Sequence, residues 1–303
     1  MLLKIPDIEI SDLTNELFIN KQINVSVVRL DKIHSIMSGN KLFKLYYFLK
    51  QAIQSANTPE ILTFGGTYSN HLAATAYACK LSGLKSIGIV RGEKPPQLSH
   101  TLQFCLDNEM LLKFISRDDY AKKDTVDFYE KLIDEFGECI IIPEGGYHSL
   151  GAKGAALIMD SLKGKQFTHI CCATGTATTI AGLLLNIENH QQIISMPVLK
   201  GMTDIEERVL FLTANKANLH QLKILNDYHF DGYAKTKPEL FAFMNEIYQQ
   251  YQLPTDFVYT GKMLFGIFDL IKKNYFPAGS NIACLHTGGL QGNLSLPSNT
   301  LLF

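Results

Sequence analysis

The amino-acid sequence predicts an α/β protein of parallel sheets covered by helices, and three observations carry the prediction. Six short apolar runs recur along the chain, nine stretches carry apolar residues at three- and four-residue steps, and the two kinds alternate. Taken in order, a helical pattern over 41–55 holds Leu45, Tyr46 and Phe48 on one face, and the run 61–64 follows as a strand. The small-residue stretch 70–83 reads as a helix, 86–90 as a strand, and 97–108 and 119–136 as helices before the strand 139–143. Helix 151–163, strand 169–173, helix 177–189 and strand 193–197 continue the alternation. Helices 203–215, 237–251 and 261–274 then precede a last strand, 281–285. Each strand run is too short for a helix core and too uniformly apolar for a sheet with a wet face, so it reads as buried on both sides. At 303 residues the chain is about twice the usual size of one domain. No Pro-, Gly- or Ser-rich linker divides it, so two units would have to interleave, one inserted into the other.

Composition narrows the function classes. With 46% hydrophobic and 19% charged residues the chain has the makings of a packed core rather than of disorder. Lys plus Arg number 28 against 29 Asp plus Glu, a net charge of −1 that offers no field for a nucleic-acid backbone or an anionic membrane. No apolar run approaches the roughly 18 residues of a membrane span, and residues 1–7 are too short and too soon charged for a secretory segment. A cytoplasmic location is expected. The six cysteines lie in apolar surroundings without C-x-x-C spacing and read as buried thiols, and the nine histidines form no metal-ligand pattern.

Chemistry in parallel sheets gathers where strands feed helix N-termini, and four glycine-bearing turns fall at or near such places. The first is Ser38, Gly39, Asn40, Lys41, with Lys44 a turn later. Lysines at a helix start face the positive end of the dipole, which lowers their pKa, and a neutral amine is what attacks a carbonyl. The second, Gly65 to His71, lets the backbone approach a ligand and leaves the amides of Ser69, Asn70 and His71 free for a carboxylate, although Ser69 or Asn70 could equally be a plain helix cap. The third, Thr174, Gly175, Thr176, Ala177, Thr178, has the strand, hydroxyl and helix order of a phosphate cradle, and is neither a Walker A loop nor G-x-G-x-x-G. The fourth is His286, Thr287, Gly288, Gly289. A phosphate cradle and a depressed lysine without metal or dinucleotide signs point to a phosphorylated aldehyde held as a Schiff base, with pyridoxal 5'-phosphate the obvious candidate.

Six elements in order then carry a resemblance. They are Ser38-Gly39-Asn40-Lys41 with Lys44-Leu45; Gly65-Gly66 with Ser69-Asn70-His71; and Pro143 with Gly145-Gly146. The others are Thr174 to Thr179 with Ala181-Gly182; Val258-Tyr259-Thr260-Gly261-Lys262; and His286-Thr287-Gly288-Gly289. Together these elements resemble the 1-aminocyclopropane-1-carboxylate deaminase/D-cysteine desulfhydrase family of fold-type II pyridoxal-phosphate enzymes. The resemblance implies two open, mostly parallel twisted sheets, with a smaller domain, 45–148, inserted into a larger one formed by 1–44 and 149–303. It implies that Lys41 holds the cofactor covalently, that Asn70 bonds its phenolic oxygen, and that Thr174, Gly175, Thr176, Ala177 and Thr178 cradle its phosphate with help from Lys44. Ser69, with the amides of Asn70 and His71, would take the substrate carboxylate, and Ser69 is also a candidate nucleophile or base. Tyr259 would lie along the pyridine ring, and Tyr233 would be a second active-site tyrosine.

Position 260 separates the two activities. Deaminases similar to this chain carry glutamate beside the stacking tyrosine, whereas this sequence has Thr260, as the desulfhydrase branch does. A neutral hydroxyl cannot hold a proton on the ring nitrogen by charge, so the ring is a weaker electron sink. The expected reaction is therefore α,β-elimination on a small amino acid such as D-cysteine, giving pyruvate, ammonia and sulfide. Deamination of the cyclopropane acid to 2-oxobutanoate is the alternative, and a binding protein that retains the fold without catalysis is the alternative of another class. A homodimer is implied by the resemblance. Phe43, where the family has arginine, and Leu30, inside an Arg-acidic-Asp element, depart from the pattern on the expected substrate side.

Overall fold

The computed structural model describes residues 5, 7–34 and 37–303, so the reading of residues 1–7 falls largely outside it. The elements run β1 (Ile10–Leu13), α1 (Glu16–Lys21), β2 (Asn24–Val28), α2 (Asn40–Gln54), β3 (Glu60–Gly65), α3 (Asn70–Leu81) and β4 (Ser86–Arg91). Then come α4 (His100–Asp107), β5 (Met110–Ile115), α5 (Arg117–Tyr120), α6 (Val126–Phe136), β6 (Cys139–Ile142), α7 (Ser149–Asp160) and β7 (His169–Thr174). The chain closes with α8 (Thr178–Leu185), β8 (Gln192–Pro197), α9 (Ile205–Thr213), β9 (Leu222–Ile224), α10 (Pro238–Tyr251), α11 (Thr260–Lys272) and β10 (Asn281–Leu285).

Two sheets result. One has four strands in the order β5-β4-β3-β6, all parallel and all drawn from the middle of the chain. The other has six, β1-β2-β10-β7-β8-β9, parallel except where β1 runs against β2. Its strands come from both sides of the first sheet in sequence. The expected mostly parallel, helix-covered sheets are present, and all six strands read from the sequence are there.

β7 shows why such strands read as unbroken apolar runs. Ile170 and Cys172 face one core, with Phe43, Ala152, Ile180 and Ala181, while Cys171 and Ala173 face the other, with Phe18, Met263 and Ile267. Side chains alternate across the sheet, and both faces are covered. All six cysteines are free thiols.

The differences lie where sequence signals are weak. β1, β2, β9 and the six-residue α1 carry too few apolar residues to stand out, whereas β5, with five apolar residues of six, is a strand the sequence reading missed between the helices expected over 97–108 and 119–136. The single helix expected over 119–136 is two. Ser116 caps α5 by accepting from Asp119 N–H at 3.0 Å, and the chain turns before Val126, with Thr125 N–H donating to Lys122 O at 2.9 Å. Among the described residues no helix is long and apolar enough to cross a membrane.

The two departures from the family pattern have structural explanations. Leu30 and Phe43 are both fully buried in the core beneath α7, α8 and β7, not in a crevice. Arg29 and Asp31, which flank Leu30, still meet as a buried two-pronged ion pair, Nε to Oδ1 at 2.9 Å and Nη2 to Oδ2 at 2.7 Å.

Candidate active site

Gly39 sets the position of the first lysine. It precedes α2 with φ of 74°, and a Cβ there would fall 1.8 Å from Thr287 O, so only glycine allows the start of α2 to lie on the turn after β10. Asn40 N–H donates to the same Thr287 carbonyl at 3.3 Å. The Asn40 side chain donates to Thr179 Oγ1 at 2.8 Å and accepts from Lys41 Nζ at 2.6 Å, tying the lysine to the first turn of α8. Burial draws the Lys41 amine down to about 8, against the opposing pull of Asp256 and Cys172. The depression read from the helix start is therefore present, and desolvation is its main cause. Lys44 goes further, to about 7, through burial and then the charge of Lys41, and its Nζ donates to Gly145 O at 3.1 Å.

The turn after β3 delivers Ser69, Asn70 and His71 at the start of α3. Ser69 is the cap, its hydroxyl accepting from Leu72 N–H at 3.2 Å, so the plain capping role is real and its own hydroxyl proton stays free to donate. His71 is fixed as a neutral tautomer by donor counting. Thr63 gives its hydroxyl proton to Ile142 O at 2.8 Å, so its oxygen must accept from His71 Nε2–H at 3.0 Å, leaving Nδ1 a bare acceptor. Burial, then Lys44 and Lys41, hold His71 down to about 3.

The cradle follows β7. Ala177 takes a left-handed φ of 63° ahead of α8, which points successive amides to one side, and Thr176 Oγ1 lies 3.0 Å from Thr178 Oγ1. Thr174 brings no hydroxyl, because its Oγ1 is buried against Ser195 Oγ at 2.7 Å. Tyr259 covers the turn: a Cβ on Gly175 would lie 3.4 Å from its ring, and Lys41 Nζ stands 5.9 Å from its centroid. Tyr233 meets Tyr259 edge to face at 6.1 Å. Burial, with Tyr233 beside it, raises the Tyr259 hydroxyl well above the usual phenol range.

The structure thus gathers Lys41, Lys44, Ser69 to His71, Gly175 to Thr178, Tyr233, Tyr259 and Thr260 at the carboxyl ends of β3, β7 and β10. It also shows residues the sequence reading missed. The buried Asp256 carboxylate accepts from Val258 N–H at 3.0 Å, Tyr259 N–H at 2.7 Å and Thr260 N–H at 2.8 Å, which sets the backbone that carries Tyr259. An aspartate four residues before a helix start was its only sequence signal. An open cleft lined by Asp12, Ser26 and Gln166 lies at the amino ends of β2, β7 and β10, away from these groups.

The sequence profile described as "Pyridoxal-phosphate dependent enzyme" matches residues 16–288. The chain belongs to that family. A Thermotoga maritima protein, provisionally named a 1-aminocyclopropane-1-carboxylate deaminase, is 32% identical over 291 residues, covering 89% of each chain. A D-cysteine desulfhydrase of Klebsiella pneumoniae is 27% identical, covering 88% of this chain and 86% of its own. A crystal structure of an ACC deaminase homologue shares the fold at a TM-score of 0.79 and 24% identity, covering 95% of this chain and 91% of that one.

The residues fit the family's cofactor. Asn70 Oδ1, His71 Nδ1 and Thr260 Oγ1 are buried with no hydrogen-bond partner, a cost that a polar ligand would relieve. The left-handed turn at Ala177 and the two hydroxyls of Thr176 and Thr178 suit a phosphate, and Lys44, whose Nζ donates to the carbonyl of Gly145 beside Thr176, stands near as a further donor. Among the described residues no cluster could hold a metal ion.

Proposed function

We propose that this protein is a lyase for a small D-amino acid with a β-leaving group, cleaving D-cysteine to pyruvate, ammonia and sulfide. The observation that carries the reading is Thr260. It is the first residue of α11, fully buried, with an unpartnered hydroxyl and no carboxylate in its place. A neutral group there supports removal of an α-proton followed by departure of a thiolate more readily than the opening of an unactivated ring.

Pyridoxal phosphate, when bound, supplies an aldehyde for the substrate amine and a ring that takes up electrons. In this reading Lys41 is the covalent anchor, Asn70 bonds the phenolic oxygen, and the amides from Gly175 to Thr178 hold the phosphate with Lys44. Ser69 and the amides of Asn70 and His71 bind the substrate carboxylate. Lys41 or Ser69 moves the α-proton, Tyr259 orients the ring, and Tyr233 closes the substrate side. The same reading takes the protein as a cytoplasmic homodimer with 45–148 as its smaller domain, which light scattering and limited proteolysis test.

The names of several relatives favour the second reading. A Bradyrhizobium 1-aminocyclopropane-1-carboxylate deaminase is 26% identical, covering 84% of this chain and 82% of its own. The deciding assay measures sulfide and pyruvate from D-cysteine against 2-oxobutanoate from the cyclopropane acid. Turnover of the latter alone overturns the proposal, and Thr260→Glu is expected to shift the ratio toward it.

A further inference from the structure

Tyr233 sits on a stretch of chain that does not hold its own shape. Phe230, Asp231, Gly232 and Ala234 all have positive φ, at 51°, 67°, 125° and 53°. Three of the four are not glycine, and each such residue costs about 1 kcal/mol that the surroundings must repay. The segment's own bonds are few: Gly232 N–H to His229 O at 3.0 Å and Lys235 N–H to Gly232 O at 3.2 Å. On one side Phe230 packs with Leu240, Met244, Phe257 and Val258. On the other stands Lys262, 1% exposed, whose Nζ donates to His229 O at 2.9 Å and to Gly232 O at 2.8 Å.

Lys262 is the third residue of α11, one turn past the cap at Tyr259. One short stretch of helix therefore presents the Tyr259 ring and grips the loop of the tyrosine that meets it. We propose that Lys262 is a positioning residue, its buried ammonium clamping the 229–234 loop so that Tyr233 stands against Tyr259 for the reaction. This inference rests on the role of Tyr233 given under the proposed function.

The clamp has a pH signature. Burial brings the Lys262 ammonium down to about 8, with Asp256 and Asp231 pulling it back up; Asp231 is itself paired with Lys237 at 3.6 Å, and the Phe230 ring lies 6.0 Å from Nζ. Opening the loop would return Lys262 to water and to the ordinary lysine range near 10.4, so opening takes up a proton between about pH 8 and 10 and the loop tightens as pH rises through that window.

The test compares wild type, Lys262→Met, Tyr233→Phe and the double variant as cofactor-loaded enzymes, with amide exchange of residues 229–235 followed from pH 7 to 9.5. Lys262→Met is expected to lower kcat/KM on the order of 10- to 100-fold, the scale of a misplaced group. Cofactor affinity should hold, and the loop's protection, taken relative to the intrinsic base-catalysed exchange rate at each pH, should be lost and show no titration near pH 8. In wild type that protection should increase above pH 8, a readout that Lys41 does not touch and that stands even if Lys262→Met fails to fold. The two losses should not multiply in the double variant. Full activity in Lys262→Met, an unprotected wild-type loop at pH 7, multiplying losses, or full activity in Tyr233→Phe each overturn the inference. A failure of D-cysteine turnover in wild type, with the loop protected and its protection rising with pH as described, overturns only the substrate reading.

Discussion

Gly39→Ala isolates what seats Lys41. A methyl group there would lie 1.8 Å from Thr287 O, 2.3 Å from Thr287 C and 2.7 Å from Gly288 N, all of them backbone atoms that cannot swing aside. Side chains do not approach closer than 3.0 Å, so α2 and the turn after β10 must part by about 1.2 Å, from 1.8 to 3.0 Å. The parting breaks the bond from Asn40 N–H to Thr287 O, and Lys41, the next residue, travels with it. A displacement near 1 Å in a reacting group costs on the order of 100-fold in rate, while the backbone strain of alanine at φ 74° and ψ −155° costs about 1–3 kcal/mol. Gly83→Ala separates the two effects, because Gly83 has φ of 68° with nothing within 4 Å of its new methyl. Thermal unfolding, cofactor absorbance with borohydride trapping, and turnover are measured on both variants. Gly83→Ala should lose only stability, whereas Gly39→Ala should lose trapping and turnover as well. A Gly39→Ala protein that traps cofactor and turns over at the wild-type rate refutes the account of how Lys41 is seated.

Three further outcomes follow from the geometry. Arg29→Leu leaves Asp31 buried without its partner and should cost about 3–5 kcal/mol in denaturant unfolding, most of it recovered when Asp31→Leu is added; equal stability of both variants would contradict the pairing argument. Asp256→Asn replaces an acceptor of three amides by a group that turns a donor toward them. It should cost about 2 kcal/mol and, by removing a charge that raises the Lys41 amine, shift the acid limb of the activity profile to lower pH. The cofactor-free protein should gain stability as pH rises from 7 to about 8.5. Lys41, Lys44 and Lys262 sit at about 8, 7 and 8, below the ordinary lysine range near 10.4, so the unfolded chain binds more protons in that window. Above it the buried thiols Cys79, Cys105 and Cys172, held up to about 12, ionise first in the unfolded chain and work the other way. A denaturant midpoint that stays flat or falls over pH 7–8.5 counts against the buried lysines.

What was legible in the sequence was whatever depends on local pattern. Strands such as β7 announce themselves because both faces are buried, and the glycine turns because a backbone close to other atoms tolerates no side chain. The short strands β1 and β9 were not legible, since few apolar residues mark them, and α5 and α6 merged because a turn closed by Lys122 and Thr125 leaves the apolar spacing intact. Of the site, the residues of the glycine turns were readable, but side chains whose part lies in hydrogen bonds to the backbone were not. Asp256 serves amides two to four residues ahead, and Lys262 reaches carbonyls of His229 and Gly232. Phe43 and Leu30 looked like changes to substrate recognition and are core residues, because sequence position alone does not tell which side of α2 or of the 29–31 turn faces inward.

The placement of β10 has a consequence for synthesis. It lies between β2 and β7, so until residues 281–285 leave the ribosome the larger sheet is two fragments with apolar, unpaired edges. The four-stranded sheet, drawn from 60–142, can close long before. The turn of Ser69, Asn70 and His71 is thus formed early, while Lys41, made before it, waits for Thr287 to be made before it has a seat. In a nascent chain the turn at 69–71 is formed while the seat of Lys41 is not.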